Sequence, residues 1–307
     1  MGILDIYLPI AAVSLDVVGL LLLGTAVGVL SGVFGVGGGF LLTPLLILIG
    51  VPPAVAVASS ANQLVGASVS GALAHWRRGN LDFVMAGLML VGGLAGSVFG
   101  IWLFTLLRRS GQIELFISLA YAALLLSLGS LMLVESMHSW MIRRRTGTTR
   151  KLHQHNWLHG LPFKMRFRRS KLYISALLPL TLGFLVGVLS AVMGVGGGFI
   201  MVPAMIYILG MPTSVVPGTS LFQIIFVTAA VTVLQAVTNN TVDVVLAAVL
   251  LLGGVIGAQL GSRWGSKLRG EELRALLAVI VLLVAAKLVF DLTVRPDNLF
   301  SIVSEDL

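Results

Sequence analysis

From Val17 to Trp76 the chain carries no Asp, Glu, Lys or Arg, and from Leu172 to Val242 it again carries none. Stretches this long without charge cannot coat a water-facing globule, in which roughly a quarter of residues are charged. They divide into apolar runs of about 20 residues, the length a helix needs to cross the hydrocarbon core of a bilayer. The whole chain agrees, with 57% hydrophobic residues, 10% charged residues and a mean hydropathy of +1.03. A transmembrane β-barrel would show short alternating segments instead. The chain therefore reads as an all-α integral membrane protein.

Each charge-free stretch holds the same peptide, Gly35-Val36-Gly37-Gly38-Gly39-Phe40 in one and Gly194-Val195-Gly196-Gly197-Gly198-Phe199 in the other. Pro44 and Pro203 follow, then Pro52 and Pro212. Further along, Gly92-Gly93, Gly96 and Gly100 recur as Gly253-Gly254, Gly257 and Gly261, Asp82 as Asp243, and Gln63 as Gln223. Order and motifs match together, which is the mark of an internal duplication. Each repeat reads as about four spans plus a short half-helix after the glycine-rich break. The first copy places these at residues 15–34, 40–49, 54–74, 83–107 and 115–134. The second places them at 175–193, 199–209, 213–237, 244–263 and 273–292. A ten-residue helix reaches only about 15 Å, half of a ~30 Å core. The expected organisation is an apolar lead-in at the interface (1–14), a first repeat (15–137), a basic loop (138–172), a second repeat (173–293) and a tail (294–307).

The net charge of +8 suggests nucleic acid only until the charges are located. Ten of the 20 Lys and Arg lie within residues 143–171, where there is no acid, and the remainder is slightly acidic. That is the positive-inside bias of a membrane protein, so nucleic acid is set aside as a partner. The bias puts this loop and the Arg77-Arg78 turn in the cytoplasm. In the second copy the turn at Asn239-Asn240 lacks basic residues, while the next carries Arg263, Lys267, Arg269 and Arg274. The charge has moved to the opposite turn, as an inverted repeat requires; Arg108-Arg109 is the exception. No cysteine is present, which excludes disulfides and thiolate chemistry. The N-terminus lacks a basic n-region, so the first apolar run is expected to be a retained span.

The glycine motif admits three readings. A phosphate loop is not one that fits, since Gly-Lys-Ser/Thr is missing and Phe40 and Phe199 stand where the dinucleotide fingerprint needs Gly or Ala. Close helix packing or a flexible break is the plain alternative. The functional reading is an unwound segment at membrane depth whose N–H groups, at a half-helix N-terminus, face an anion. It makes Gly35, Gly37, Gly38, Gly39, Phe40, Gly194, Gly196, Gly197, Gly198 and Phe199 candidate substrate contacts. Ser59, Ser60, Asn62 and Gln63, answered by Thr219, Ser220 and Gln223, can donate to an anion without bringing charge. They can equally bond helix to helix.

Carboxylates fall at segment ends, and none sits mid-span, where proton-coupled carriers usually keep one. Lys287 lies inside a span with Asp291 one turn on, the pattern of a paired or snorkelling lysine, with a substrate role as the lesser alternative. His153, His155 and His159 could hold a metal only within a shaped shell, which an exposed cationic loop does not offer. Arg166, Arg168 and Arg169, interleaved with Phe163 and Phe167, suit anionic lipid. No nucleophile–base constellation is visible, so no enzyme activity, metal or cofactor is expected.

The doubled Gly-Val-Gly-Gly-Gly-Phe with Pro44 and Pro203 downstream resembles the TauE/SafE family of sulfite exporters and related anion transporters. The resemblance covers nearly all of the chain outside residues 1–14 and 138–172; the basic loop is longer than a simple member would need. It implies a carrier of sulfite, sulfonates or related organic anions in the prokaryotic plasma membrane. The paired motifs would map onto Gly35–Gly39 and Gly194–Gly198. The expected function is alternating access by a small anion at a midplane site between the repeats, with export favoured. A channel and a membrane assembly factor are the alternatives. Substrate, direction, coupling ion and any homo-oligomer stay open.

Overall fold

The computed structural model describes residues 5–34, 39–146, 162–167, 169–170, 172–265 and 270–293. The first half consists of strands β1 (Asp5–Leu8) and β2 (Val13–Asp16) followed by helices α1 (Val17–Phe34), α2 (Gly39–Leu48), α3 (Pro53–Arg77), α4 (Phe83–Arg109) and α5 (Ile113–Thr146). The second repeats this order with β3 (Lys164–Phe167), β4 (Leu172–Ser175), α6 (Leu177–Met193), α7 (Gly198–Tyr207), α8 (Val216–Asn239), α9 (Val244–Gly265) and α10 (Gly270–Thr293). Among the described residues, five stretches are long and apolar enough to cross a bilayer: Phe83–Arg109, Ile113–Val134, Val216–Asn239, Val244–Gly261 and Leu276–Thr293. Large apolar side chains such as Leu22, Val98, Trp102, Leu131, Val237 and Leu283 point outward from these bundles. A water-soluble monomer rarely exposes so broad an apolar surface.

Two features depart from the expected layout. The all-α reading missed two antiparallel hairpins, β1–β2 and β3–β4, so the lead-in and the end of the basic loop carry strands. Four-residue strands are too short for a period of two to stand out from an apolar background. Helix α5 also runs on to Thr146, past the point where apolarity ends at Val134. A helix needs only its own backbone bonds, so it can leave the bilayer without a change in the chain.

The halves interlock. Helix α1 packs on α9 of the other half, α6 packs on α4, α3 packs on α8, and α5 packs on α10. Glycines make the first two contacts possible. A Cβ on Gly92 would lie 2.1 Å from the Leu180 carbonyl oxygen, one on Gly96 2.1 Å from that of Phe184, and one on Gly100 2.9 Å from that of Val188. The other crossing repeats the pattern, with Gly253, Gly257 and Gly261 against Leu21, Thr25 and Val29 at 2.7, 2.1 and 2.1 Å. Both sides advance by four residues together, so the helices in each of these pairs run parallel. Helix α8 runs antiparallel to α3. Gly218 at the start of α8 meets His75 and Asn80 at the end of α3, and Ser59 near the start of α3 meets Asp243 beyond the end of α8.

Both buried carboxylates among the described residues do the same work. Asp82 N-caps α4 by accepting from Met85 N at 3.2 Å, and its other oxygen accepts from the N–H and hydroxyl of Ser170 in the β3–β4 turn. Asp243 accepts from Leu246 N at 3.1 Å and, across the chain, from Ile10 N in the β1–β2 turn. An N-cap of this kind is worth about 0.5–2 kcal/mol, and here it also fastens a hairpin from the other half. The glycine crossings predict a sharp contrast within α4. Gly96→Ala should lower thermal stability by about 1–3 kcal/mol, the cost of overpacking against backbone that cannot yield. Gly87→Ala, where a Cβ meets nothing within 4 Å, should be neutral or stabilising. Equal melting temperatures for the two would show that the close crossings do not carry the fold.

Candidate functional site at the meeting of the two glycine breaks

Helix α6 ends as Gly194 N donates to the Ser190 carbonyl at 2.9 Å. Gly194, Gly196 and Gly197 then adopt φ of +69°, +68° and +75°, a left-handed conformation that L side chains resist. Space is as limiting as conformation. A Cβ on Gly194 would stand 2.5 Å from the Val57 carbonyl oxygen, one on Gly196 2.5 Å from Leu64 Cδ1, and one on Gly197 1.9 Å from Val186 Cγ1. Helix α7 starts at Gly198 without a side-chain cap on its first N–H groups.

Of the first break, Gly35, Gly37 and Gly38 lie outside the described residues. Gly39 opens α2, and a Cβ there would lie 2.4 Å from Leu64 Cδ1 and 3.1 Å from the Gly194 carbonyl oxygen. Leu64, halfway along α3, therefore touches both breaks. Beside it the rings of Phe40 and Phe199 stack with centroids 4.0 Å apart and planes within 5°, both almost fully buried. Helices α2 and α7 lead away from this point, each ten residues or about 15 Å long. Pro44 and Pro203 lack an N–H, so the carbonyls of Phe40 and Phe199 have no i+4 donor.

The candidate polar residues separate into three places. Ser60 belongs to the centre: its hydroxyl is 2.6 Å from that of Thr43 on α2, donates to the Val57 carbonyl, and borders Gly194. Ser59 and Thr219 do not join it. They lie at opposite ends of the bundle, where their oxygens accept from Asp243 N at 3.3 Å and Asp82 N at 3.2 Å. Ser220 donates to the Pro217 carbonyl within its own helix, and Asn62 is half-buried on α3. Gln63 and Gln223 are wedged into the helix crossings. Gln63 donates from Nε2 to the Gly24 carbonyl and Gln223 to that of Met89, both at 3.4 Å, while both Oε1 atoms are buried without a partner. Each NH₂ has a second hydrogen beyond the one given to the backbone, so each amide keeps a donor as well as an unpartnered acceptor at its helix crossing.

Three residues at the centre escape a reading of the sequence. Thr43 is the one hydroxyl in α2, and its place before Pro44 could have drawn attention. Tyr121 on α5 is fully buried and donates its hydroxyl to the Met193 carbonyl at the edge of the second break; a tyrosine inside an apolar span was the available signal. Leu64 had none, being one leucine among many. No Asp, Glu, Lys or Arg among the described residues is buried apart from the two N-caps, so positive potential at the centre comes from backbone N–H groups alone. Lys287 pairs with Asp291 at 3.0 Å on the exposed side of α10. The His153, His155 and His159 cluster lies outside the described residues, and those described hold no group of three metal-ligating side chains.

Comparison with known proteins agrees with this architecture. The family described as sulfite exporter TauE/SafE matches residues 20–288. A probable membrane transporter protein of Bacillus subtilis, YjnA, is 29% identical over 272 residues, covering 89% of this chain and 99% of the relative. A second from that organism, YunE, is 24% identical over 286 residues, covering 89% and 97%. A probable membrane transporter protein of Xylella fastidiosa (strain Temecula1) is 29% identical over 272 residues, covering 85% and 90%. No solved structure matches the chain. With the doubled motif, the apolar helices and a match over most of its length, the chain belongs to the TauE/SafE family of membrane proteins.

Proposed function

We propose that the protein carries a small anion, sulfite, a sulfonate or a related organic anion, across the plasma membrane by alternating access, with export favoured. One observation carries this reading: Gly39, which opens α2, and the Gly194–Gly197 break, which leads into α7, meet at the centre of the bundle, so the N-termini of two half-length helices converge there. Helix N-termini hold about half a positive charge and unpaired donors, and two of them converge where no side-chain charge competes. The binding set is the glycine breaks with Phe40, Phe199 and Ser60, joined by Thr43 and Tyr121. Gln63 and Gln223 serve it by holding the flanking crossings.

The two halves are inverted repeats in this reading. The antiparallel course of α3 and α8, which are equivalent helices, supports it, as do the exchanged contacts of α1 with α9 and α6 with α4. The Arg77 end, which carries the basic β3–β4 hairpin, faces the cytoplasm by the positive-inside bias. The stacked, buried Phe40–Phe199 pair favours a carrier over an open channel, because it closes the centre between the halves.

An inside-negative potential drives a monovalent anion outward by about 2.3 kcal/mol per 100 mV. Flux of sulfite from proteoliposomes should therefore follow an imposed potential, and electroneutral flux at all voltages would sink the uncoupled mode. Ligand binding gives a second check. A bound anion at 100 times its dissociation constant should stabilise the wild type by about 2.7 kcal/mol. Gly197→Ala, strained by its φ and by Val186, should lose that response while Gly87→Ala keeps it. An unchanged response in folded Gly197→Ala protein would move the site away from the break.

A further inference from the structure

A cavity of about 340 Å³ opens at the end of the bundle opposite Arg77. Arg108, Glu114, Asn240 and Thr241 contribute its polar lining, with Val55 and Ile113 among its apolar walls. Three of these walls lead to the second glycine break. On α3, Val55 is five residues from Ser60, which borders Gly194; on α5, Ile113 is eight from Tyr121, which donates to the Met193 carbonyl. At 1.5 Å per residue these distances are about 7 and 12 Å.

The third wall carries a buried polar ladder. Arg108 donates to the Asn239 carbonyl, and Thr105 donates to the Asn239 side chain at 3.1 Å. Asn239 and Thr241 both donate to Gln235 Oε1, at 2.8 and 3.3 Å, and Gln235 Nε2 donates to the Ala191 carbonyl at 3.1 Å. Two donors on the oxygen fix the orientation of the amide. Its NH₂ has two hydrogens, of which Ala191 takes one. The repeat does not demand this ladder. The matching position in the first half, twelve residues after Gln63 as Gln235 is twelve after Gln223, holds His75, whose buried Nδ1 has no partner among the described residues.

We infer that this cavity is the vestibule between the Arg108 end and the second glycine break, with Arg108 drawing anions in and Gln235, buried behind the lining residue Thr241, selecting for them beyond its floor. This rests on the transport reading above. The guanidinium spends part of its five-donor fork on the end of α8 and keeps the rest for the cavity. Glu114, on the same rim, opposes it and excludes anions unless Arg108 is present. The closed floor, with Val55 and Thr241 both buried, fits a state in which the route is shut on this side.

The chain has no cysteine, so single thiols report cleanly. Val55→Cys is a small apolar exchange that a packed site tolerates. In proteoliposomes carrying methanesulfonate as the probe anion, this variant would be treated with the anionic sulfonatoethyl and cationic trimethylammonioethyl thiosulfonates. The anionic reagent should react about tenfold faster, after correction for a free thiol, as expected of a cleft that focuses one sign of charge. Arg108→Gln should abolish that preference, and modification should stop methanesulfonate flux. A second variant, Gln235→Glu, should cut flux at least about tenfold by placing a like charge on the route. An unreactive thiol, or equal rates with and without Arg108, would overturn the vestibule. Charge-selective modification that leaves flux intact would overturn the route alone, whereas wild-type protein without flux of any anion would overturn the transport reading and this inference together.

Discussion

A peptide group left without a hydrogen-bond partner in hydrocarbon costs several kcal/mol, so a chain inside a bilayer can abandon the helix only where protein surrounds it. The interior of this molecule is arranged around that constraint. The segment from Gly194 to Gly197 gives up helical geometry at the centre, and α3 and α8 enclose it together with the glycine-bound pairs α1–α9 and α4–α6. The close crossings are what make the enclosure possible. With any side chain at Gly96 or Gly257 the helices would separate, and the breaks would meet lipid.

Exchange of partners between the halves follows from the same requirement. Both halves contribute to this enclosure: Gly194 rests on Val57 and Ser60 of the first half, Gly197 on Val186 of its own, and Leu64 fills space against both Gly39 and Gly196. The aspartate caps extend the exchange to the ends, since each fastens a hairpin that belongs to the other half. Such a molecule can move its halves against each other only by shearing shared contacts. The Phe40–Phe199 stack lies on the line where that shear would be felt.

Against this near-symmetry, a few differences stand out. Thr43 and Tyr121 add hydroxyls beside the breaks. Gln235 builds a ladder where the matching His75 leaves its Nδ1 without a partner among the described residues, and the two hairpins carry opposite charge, with Asp5 and Asp16 on one and Lys164 and Arg166 on the other. Directional transport, as proposed above, needs a difference between the two sides of the membrane, and these departures are the differences that the two halves offer.

Most of the helix order is legible in the residues alone, because ~20-residue apolar runs and the doubled motif each have one physical reading in a bilayer. The site is legible only in part. Glycines at Gly194, Gly196 and Gly197 announce themselves because glycine takes their left-handed φ most readily, and a phenylalanine beside each break is visible as a repeat. The β-hairpins escape notice because strands of four residues leave no periodic trace. Ser59, Thr219, Gln63 and Gln223 look like one polar set with Ser60. The rotation of α3 and α8 against their neighbours sends them to the ends or into the crossings. The sequence by itself determined the class of fold, the helices and the two weak points in them, because those depend on local composition and backbone freedom. Which polar groups face the second break, that Phe40 meets Phe199, and that a cavity opens beside Arg108 were decided only by tertiary structure. They depend on contacts between residues far apart in the chain, such as Phe40 with Phe199 and Tyr121 with Met193, which no local pattern records.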